Sequence, residues 1–477
     1  SGTVPTFDAT NTGAGNGYGV CSSSNASGVS TCTMLSTKAE IKTLAITGPI
    51  ADSGGTVSFV AGAAVAANSN ITGTGPVVAD DTATSTVTIT LIDNFSNPLV
   101  GTIPTFDATD TGGTNDYTVC TSSNASGVST CTMKSAKAET KTLAITGPIA
   151  DSGGTVSFTA GAAVAANSTI TGTGPVVADD TATSTVTITL IDIFSNPISG
   201  TVPTFDATDT GGGNDYSVCT SSNASGVSTC TMKSTKAETK TLAITGPIAD
   251  TGGTVSFTAG AAVAASSNIT GTGPVVADDT ATSSVTITLQ DIFSNPISGT
   301  IPTFDATDTG AGNDYSVCTS SNASGVSTCT MKSTKAEIKT LAITGPITDS
   351  GGTVSFTAGT ATAANSNITG TGPVIADDTA TSTVTITLID NFSNPLVGTV
   401  PTFSATDTGA GNDYSVCTSS NASGVSTCTI KSTKAETKTL AITGPIAYNG
   451  GTVSFVAGAS AAANSNITGT GPVVADD

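Results

Sequence analysis

The sequence has no arginine, no histidine and no tryptophan among its 477 residues, so lysine is its only basic side chain. The 14 lysines stand against 35 acidic residues, which gives a formal net charge of −21. Nucleic acids and anionic membranes are bound by basic patches, so this composition argues against both as partners. Catalysis also lacks its usual groups, because no histidine is present and no serine or threonine has a recognisable base. We therefore predict that the protein is not an enzyme.

Long apolar runs and helical patterns are missing as well. The most apolar run, AGAAVAA at 160–166, is far shorter than the roughly 20 residues that span a bilayer. We therefore expect no direct insertion of this chain into a membrane. No signal peptide is visible, and the sequence opens in mid-repeat at SGTVPTF, so we expect its natural start to lie elsewhere.

Repetition is what the sequence has in abundance. The segment CTSSNASGVSTC occurs four times, a fifth copy differs by one residue, and successive copies lie 99 residues apart. This period is too long for a solenoid repeat and has the size of a small domain. We predict five tandem domains: an N-terminally incomplete repeat 1 at 1–65, repeat 2 at 66–164, repeat 3 at 165–263, repeat 4 at 264–362 and repeat 5 at 363–461. Residues 462–477 are predicted to begin a further repeat or to form a linking strand.

Alternation of apolar and hydroxyl side chains predicts β-strands in every repeat. At 85–93, STVTITLID places valine, isoleucine and leucine at every second position and threonine between them, which is typical of a half-buried strand. Further short strands are predicted at 117–120, 128–133, 141–146 and 154–160, with one or two more in 168–180. Only KSAKAETK at 134–141 resembles a helix. About seven short strands per repeat predict an all-β fold, a tandem array of Ig-like β-sandwich domains with a 99-residue period.

The segment FTAGAAVAANSTITGTGPVVADDTATSTVTITLIDIFSNPISGTVPTF at 158–205 resembles the bacterial Ig-like group 1 domains of invasin and intimin type. The family's turn reads Asp-x-x-Gly-Asn-Pro. Here Asp192, Asn196 and Pro197 match it, while Ser195 stands where glycine is usual. The resemblance covers the whole repeat. It implies a structural or adhesive role, because related modules build adhesin stalks, surface fibres and extender regions.

All ten cysteines lie in the repeated twelve-residue segment. NASG is a turn sequence, and folding there places Cys120 opposite Cys131, at about the distance that a disulfide spans. We predict one disulfide in each repeat: Cys21–Cys32, Cys120–Cys131, Cys219–Cys230, Cys318–Cys329 and Cys417–Cys428. The alternatives are free buried thiols or a zinc site, although two sulfurs without histidine give too few ligands for zinc. Disulfides form in oxidising compartments, so we expect an extracellular or cell-surface protein.

The same turn contains Asn-Ala-Ser, an acceptor pattern for N-glycosylation. The alternative is an asparagine that serves the turn alone. The candidate asparagines recur at hairpin tips: Asn25, Asn124, Asn223, Asn322 and Asn421.

Pairs of aspartates in the linker text ADD are candidate calcium ligands, because calcium prefers carboxylate and carbonyl oxygens. The alternative is that these are solvated loop carboxylates. The candidates are Asp80, Asp81, Asp179, Asp180, Asp278, Asp279, Asp377 and Asp378. No other cofactor is predicted. Lys137 and Lys141 lie in polar text, so we expect neither to be buried as a Lys–Asn cross-link would require.

Two functions follow from these features. We predict a structural, non-enzymatic region that forms the shaft of an extracellular filament or cell-surface stalk. The alternative is an adhesin whose repeats themselves bind a receptor, glycan or surface. Near-identity of the copies and only 4% aromatic residues favour the shaft, because binding hot spots are rich in tyrosine and tryptophan.

The predicted partners are further copies of the protein, joined end to end. Repeat 1 lacks the counterpart of 82–99, which includes the strand text STVTITLI. An exposed sheet edge of this kind pairs readily with another strand. We expect the strand to come from a continuous longer chain or, alternatively, from a neighbouring subunit by strand donation.

Overall fold

The computed structural model describes residues 1–13, 15–310, 312–409 and 411–471. Residues 472–477, at the end of the predicted linking strand, lie outside the described residues. The chain divides into two compact units. Unit one comprises Ser1–Val176, Ala182–Ser234 and Glu238–Phe257, and unit two comprises Val177–Thr181, Thr235–Ala237 and Thr258–Asp477.

Regular structure in unit one consists of β-strands and one turn of 3-10 helix at Ala66–Asn68. The strands that begin in this unit are β1 Thr6–Ala9, β2 Asn16–Tyr18, β3 Met34–Ser36, β4 Ile41–Gly48, β5 Asp52–Ser58, β6 Asn70–Gly73, β7 Val77–Val78, β8 Ser85–Thr90, β9 Thr105–Ala108, β10 Asn115–Tyr117, β11 Val128–Ser135, β12 Thr140–Gly147, β13 Asp151–Thr159, β14 Thr169–Gly172, β15 Val176–Val177, β16 Ser184–Thr189, β17 Thr204–Ala207, β18 Asn214–Tyr216, β19 Val227–Ser234, β20 Thr239–Gly246 and β21 Asp250–Thr258.

Unit two has the same character, with one 3-10 turn at Ala462–Asn464. Its strands are β22 Asn268–Gly271, β23 Val275–Val276, β24 Ser283–Thr288, β25 Thr303–Ala306, β26 Asn313–Tyr315, β27 Val326–Ser333, β28 Ile338–Gly345, β29 Asp349–Thr357, β30 Asn367–Gly370, β31 Val374–Ile375, β32 Ser382–Thr387, β33 Thr402–Ala405, β34 Asn412–Tyr414, β35 Val425–Ser432, β36 Thr437–Gly444 and β37 Tyr448–Val456.

Each complete repeat is a sandwich of two sheets. In repeat 2 the strand orders are β10-β11-β8-β6 and β7-β13-β12-β9, and only β7 and β13 run parallel. In unit two, repeat 4 has the orders β22-β24-β27-β26 and β23-β29-β28-β25, and repeat 5 has β30-β32-β35-β34 and β31-β37-β36-β33. The predicted all-β array of Ig-like domains with a 99-residue period is confirmed.

The alternation read from the sequence positions the core. Val87 and Ile89 on β8 are fully buried and lie opposite Cys131 and Ser129 on β11. They pack against the other sheet through residues such as Leu143, which is also fully buried. Burial of each large apolar side chain is worth roughly 1.5–3 kcal/mol. The hydroxyl residues between them face outward.

Repeat 1 has a smaller fold within the described residues, with a three-stranded sheet β1-β4-β5 and a two-stranded sheet β2-β3. Met34, Leu44 and Val57 line an open groove at the place where β6 and β8 cover the core of repeat 2. Leu44 is half-buried, whereas its counterpart Leu143 is completely buried.

Two segments of regular structure were not predicted from the sequence. The helix-like text at 134–141 forms the end of β11, a turn and the start of β12, because pairing with neighbouring strands outweighs its local helix propensity. Strands such as β9 were not predicted, because four residues are too few to show an alternating pattern. Within the described residues, no helix combines the length and the apolar character that crossing a membrane requires.

Candidate functional site: the joint between repeats

A tight turn after the first long strand of each repeat contains two buried polar side chains. In the first such turn, Asp93 Oδ1 accepts hydrogen bonds from the backbone N–H groups of Phe95 and Asn97, both at 2.8 Å. Ser96 has a φ of 65°, which lies in the left-handed region. Glycine is usual at this position in the bacterial Ig-like group 1 domains that the sequence resembles. Asp93 and Asn97 are 2% and 4% exposed. Such buried groups are stable only when they are hydrogen-bonded.

The amide of Asn97 connects this turn to the preceding repeat. Its Nδ2 donates to the carbonyl oxygen of Thr37 at 2.8 Å, and its Oδ1 accepts from the N–H of Ala39 at 2.9 Å. The same Nδ2 donates to Asp93 Oδ2 at 2.8 Å, so the aspartate holds the amide in the orientation that fits both backbone groups. We call this Asp–Asn pair the latch, and we call residues 36–39, together with the equivalent segments 135–138, 234–237 and 333–336, the receiving loops.

The latch recurs with the same atoms at each later joint. Asn196 contacts Ala136 O and Ala138 N, each at 2.8 Å. In unit two, Asn295 contacts Thr235 O and Ala237 N, again at 2.8 Å. Asn394 contacts Thr334 O at 2.9 Å and Ala336 N at 2.8 Å. The partner aspartates are Asp192, Asp291 and Asp390.

The chain between two repeats wraps around the same aspartate. The N–H of Gly62 donates to Asp93 Oδ2 at 2.9 Å, and Asn68 Nδ2 donates to the Asp93 carbonyl at 2.8 Å. Burial raises the pKa of Asp93, but the hydrogen bonds from Asn97, Gly62 and Phe95 outweigh it, so the pKa lies below its ordinary value. The carboxylate is therefore ionised at neutral pH and serves as the centre of the joint.

The predicted disulfides are present. The Cα atoms of Cys120 and Cys131 are 4.3 Å apart, and the two residues are 6% and 3% exposed. Equivalent bonds join the other four pairs, and no described cysteine is free. In repeats 2 to 5, each bond fastens the segment after β10 or its counterpart to the long strand that carries the second cysteine.

Asn124 lies at the exposed tip of this hairpin, as predicted from the turn sequence. Its Oδ1 accepts from the N–H groups of Ser126 at 2.8 Å and Val128 at 3.1 Å. Asn25, Asn223, Asn322 and Asn421 make the same two contacts. The oxygen therefore serves the turn, while Nδ2, the atom that would carry a glycan, has no hydrogen bond among the described residues. Glycosylation stays a prediction.

The linker aspartates have protein partners of their own. Asp80 Oδ1 accepts from the N–H groups of Ala83 at 2.7 Å and Thr82 at 2.9 Å, which lower the pKa of Asp80. Asp278 and Asp377 make the same pair of contacts, and Asp179 accepts from Thr181. Asp81 has a φ of 54° and lies 3.5 Å from Lys134 Nζ. Asp180, Asp279 and Asp378 also have a positive φ.

These contacts give the linker aspartates roles in a turn and in surface ion pairs. Among the described residues, no three carboxylate or thiol side chains are grouped closely enough to hold a metal ion. Calcium at the linkers stays a prediction.

The expectation for Lys141 was wrong. Lys141 is completely buried on β12, and its Nζ lies 2.7 Å from Glu139 Oε1 and 3.6 Å from Asp110 Oδ1. Burial raises the pKa of Glu139, but hydrogen bonds from Lys141 and Thr111 lower it by more. The ammonium group of Lys141 is thus buried and forms an ion pair with the Glu139 carboxylate. Equivalent fully buried lysines are Lys42, Lys240, Lys339 and Lys438.

A comparison with solved structures finds bacterial adhesins. FdeC, an adhesin of Escherichia coli, is 21% identical with a TM-score of 0.44, over 62% of this chain and 99% of that one. Invasin, a bacterial integrin-binding protein, is 20% identical with a TM-score of 0.42, over 82% of this chain and 78% of that one. InvD of Yersinia pseudotuberculosis is 20% identical with a TM-score of 0.41, over 69% and 95% of the two chains.

No family model and no curated protein matches the chain. The three solved structures named above are bacterial adhesins, and each is less than 25% identical to this chain.

Proposed function

We propose that this chain is the shaft of an extracellular filament or cell-surface stalk and has no enzymatic activity. The observation that carries the proposal is the latch, which buries a carboxylate and an amide at each joint and is built from the same atoms every time. Bending a joint would separate these groups from partners that water cannot easily replace, at a cost of roughly 1–3 kcal/mol for each buried group. A row of such joints resists bending, as a shaft must.

The disulfides support an extracellular or cell-surface location. Five disulfides in one chain are typical of a protein that folds outside the cytosol. The low content of charged residues, 10%, leaves a surface rich in hydroxyl groups. We therefore place the protein at the cell surface or in the extracellular space.

Small-angle X-ray scattering of the full chain tests the shaft. A compact globule of 477 residues has a radius of gyration of about 23 Å. Repeats about 33 Å long, stacked end to end, extend on the order of 150–200 Å and give a radius of gyration of roughly 50 Å. A value near that of the globule would contradict the proposal. A chain in which all four latch asparagines are replaced by alanine is the matched control, and we expect it to scatter as a more flexible chain.

A second candidate function, binding by the repeats themselves, is favoured by one observation. A valine beside the first cysteine of each hairpin is almost fully exposed: Val20, Val119, Val218, Val317 and Val416 are 85–92% exposed. Binding of the full chain to cells or immobilised glycans, lost when these five valines are replaced by threonine, would support an adhesin. Scattering of a rod without any such binding would support the shaft alone.

End-to-end association with further copies is part of the same proposal. The groove of repeat 1 has the lining that β6 and β8 cover in repeat 2, so a strand of that sequence fits it. A synthetic peptide of residues 68–98 should bind the full chain and protect the amides of β3 from exchange. A scrambled peptide is the control. Binding of neither peptide would count against strand complementation at this groove.

Calcium and glycans remain proposals with simple tests. If calcium stabilises the linkers, EDTA lowers the unfolding temperature and the Asp80→Asn variant responds less than the parent. If Asn124 carries a glycan, intact mass of the natural protein exceeds the sequence mass, and enzymatic removal of N-glycans restores it.

A further inference from the structure

We infer that the joint is a general coupler, in which the latch turn of any repeat fits the receiving loop of any other repeat. The partner of the turn is therefore any receiving loop, a loop of sequence Ser-x-Lys-Ala that follows the long strand of a repeat. This inference rests on the geometry of the joint and not on the proposed function.

The receiving loop is recognised through its backbone. In each joint the latch asparagine contacts one carbonyl oxygen and one N–H group of the receiving loop, two residues apart. The residue that supplies the carbonyl differs between copies, as Thr37, Ala136, Thr235 and Thr334. The hydrogen bond to it nevertheless stays at 2.8–2.9 Å. A change of side chain at this position therefore leaves recognition intact.

The turn also varies only where its side chains are not used. The residue after the latch aspartate is asparagine in two copies and isoleucine in two, and Ile193 and Ile292 are 69% and 70% exposed. The residue before the aspartate is Gln290 in one copy and isoleucine in the other three. Its carbonyl accepts from Val263 N at 2.9 Å, as that of Ile191 accepts from Val164 N at 3.0 Å. Both variable positions thus contribute backbone alone.

The latch asparagine, the latch aspartate and the two backbone groups that the asparagine contacts recur in all four joints. The latch therefore has no means of distinguishing one receiving loop from another. Arrays that differ by whole 99-residue repeats should form the same joints, without any new interface.

An internal deletion tests this inference. Removing residues 165–263 joins repeat 2 to repeat 4 and places Asn295 against Ala136 O and Ala138 N, a pair that does not meet in the parent chain. We expect the thermal unfolding midpoint of the parent and a protected Ala138 amide in hydrogen exchange. The matched control is the same deletion with Asn295→Ala, in which exchange at Ala138 should be about tenfold faster, the effect of losing one such hydrogen bond.

A new unfolding transition at lower temperature, or an Ala138 amide that exchanges as fast as in the control, would overturn the inference. If the shortened chain fails to fold, the full-length double variant Ala136→Thr with Ile193→Asn decides. It gives one joint the side chains of another, and an unchanged midpoint supports the coupler. A lowered midpoint shows that the joints are individually matched and refutes it.

Discussion

The backbone N–H of Ala138 in repeat 2 donates a 2.8 Å hydrogen bond to Oδ1 of Asn196 in repeat 3, across 58 positions of sequence. Asn196 is completely buried. Its Nδ2 donates hydrogen bonds to both Ala136 O and Asp192 Oδ2, so one side chain satisfies groups from both repeats. This contact makes the joint part of the folded core rather than a linker.

Replacing this asparagine should loosen the joint. Asn196→Ala removes both hydrogen bonds to the receiving loop and one hydrogen bond to Asp192. We therefore expect a loss of about 1–3 kcal/mol in the free energy of unfolding. Urea unfolding monitored together with amide exchange at Ala138 measures it. The control is Ile193→Asn in the same turn, because asparagine occupies that exposed position as Asn94 and Asn391. Equal stability of Asn196→Ala and the parent would show that the latch is dispensable.

How far the sequence predicts this arrangement depends on the range of each interaction. The strand β8 was predictable because its two-residue alternation is local, and the Cys120–Cys131 bond followed from a turn only twelve residues long. The partner of Asn196 could not be predicted, because the fold alone brings Ala138 to it. The sequence around Asn196 indicated only a turn.

Lys141 shows a signal that was present in the sequence but not used. Lys141, Leu143 and Ile145 occupy alternate positions of β12, and all three are buried. The same period of two that placed the leucine and isoleucine inside also placed the lysine there. The prediction gave more weight to the polar residues around Lys141 than to this alternation, so it did not place the lysine in the core.

Repeat 4 contains a natural variant of the joint. Asn68, Asn167 and Asn365 each donate from Nδ2 to the carbonyl oxygen of the latch aspartate, at 2.8, 2.8 and 2.6 Å. Ser266 occupies this position in repeat 4. We expect Ser266→Asn to restore the bond and to stabilise repeat 4 by about 0.5–1.5 kcal/mol. The reverse change, Asn167→Ser in repeat 3, should cost a similar amount. A Ser266→Asn variant that is no more stable than the parent, or an Asn167→Ser variant that is no less stable, would contradict this account.

Repeat 5 contains a buried hydroxyl without a partner. Among the described residues, Thr362 Oγ1 has no hydrogen bond, and valine occupies the same position as Val65, Val164 and Val263. Because an unsatisfied buried polar group costs about 1–3 kcal/mol, we expect Thr362→Val to raise the unfolding temperature. Val263→Thr should lower it. An unchanged temperature for both variants would mean that water reaches the hydroxyl at no cost.

Acid should destabilise the chain through the carboxylates that pair with the buried lysines. Burial raises the pKa of Glu238, but hydrogen bonds from Lys240 and Thr210 lower it to about 2. A folded-state pKa below the ordinary value of about 4.3 means that the stabilisation is complete above that value and is lost as the pH falls toward 2. Urea midpoints between pH 7 and pH 2.5 should therefore fall.

Glu238→Gln tests the assignment, because it removes one of the titrating groups. This variant should be less stable at pH 7, since it leaves Lys240 without its nearest carboxylate, and its stability should depend less on pH. Asp413→Asn, which breaks a surface pair at an aspartate whose side chain is 64% exposed, is the control and should change neither. A pH dependence as steep in Glu238→Gln as in the parent would assign the acid effect to other groups.

The disulfides should stabilise each repeat separately. Closing a loop of this size is worth about 2–4 kcal/mol, so the double variant Cys219→Ala with Cys230→Ala should lower the unfolding temperature of repeat 3 and leave repeat 5 unchanged. Because Cys219 and Cys230 are 7% and 3% exposed, a reductant should reach them mainly when the repeat opens. Thiol labelling in the parent chain with reductant present should thus speed up with urea in step with local unfolding. Complete labelling without urea, at the rate of an exposed thiol, would show that burial gives no protection.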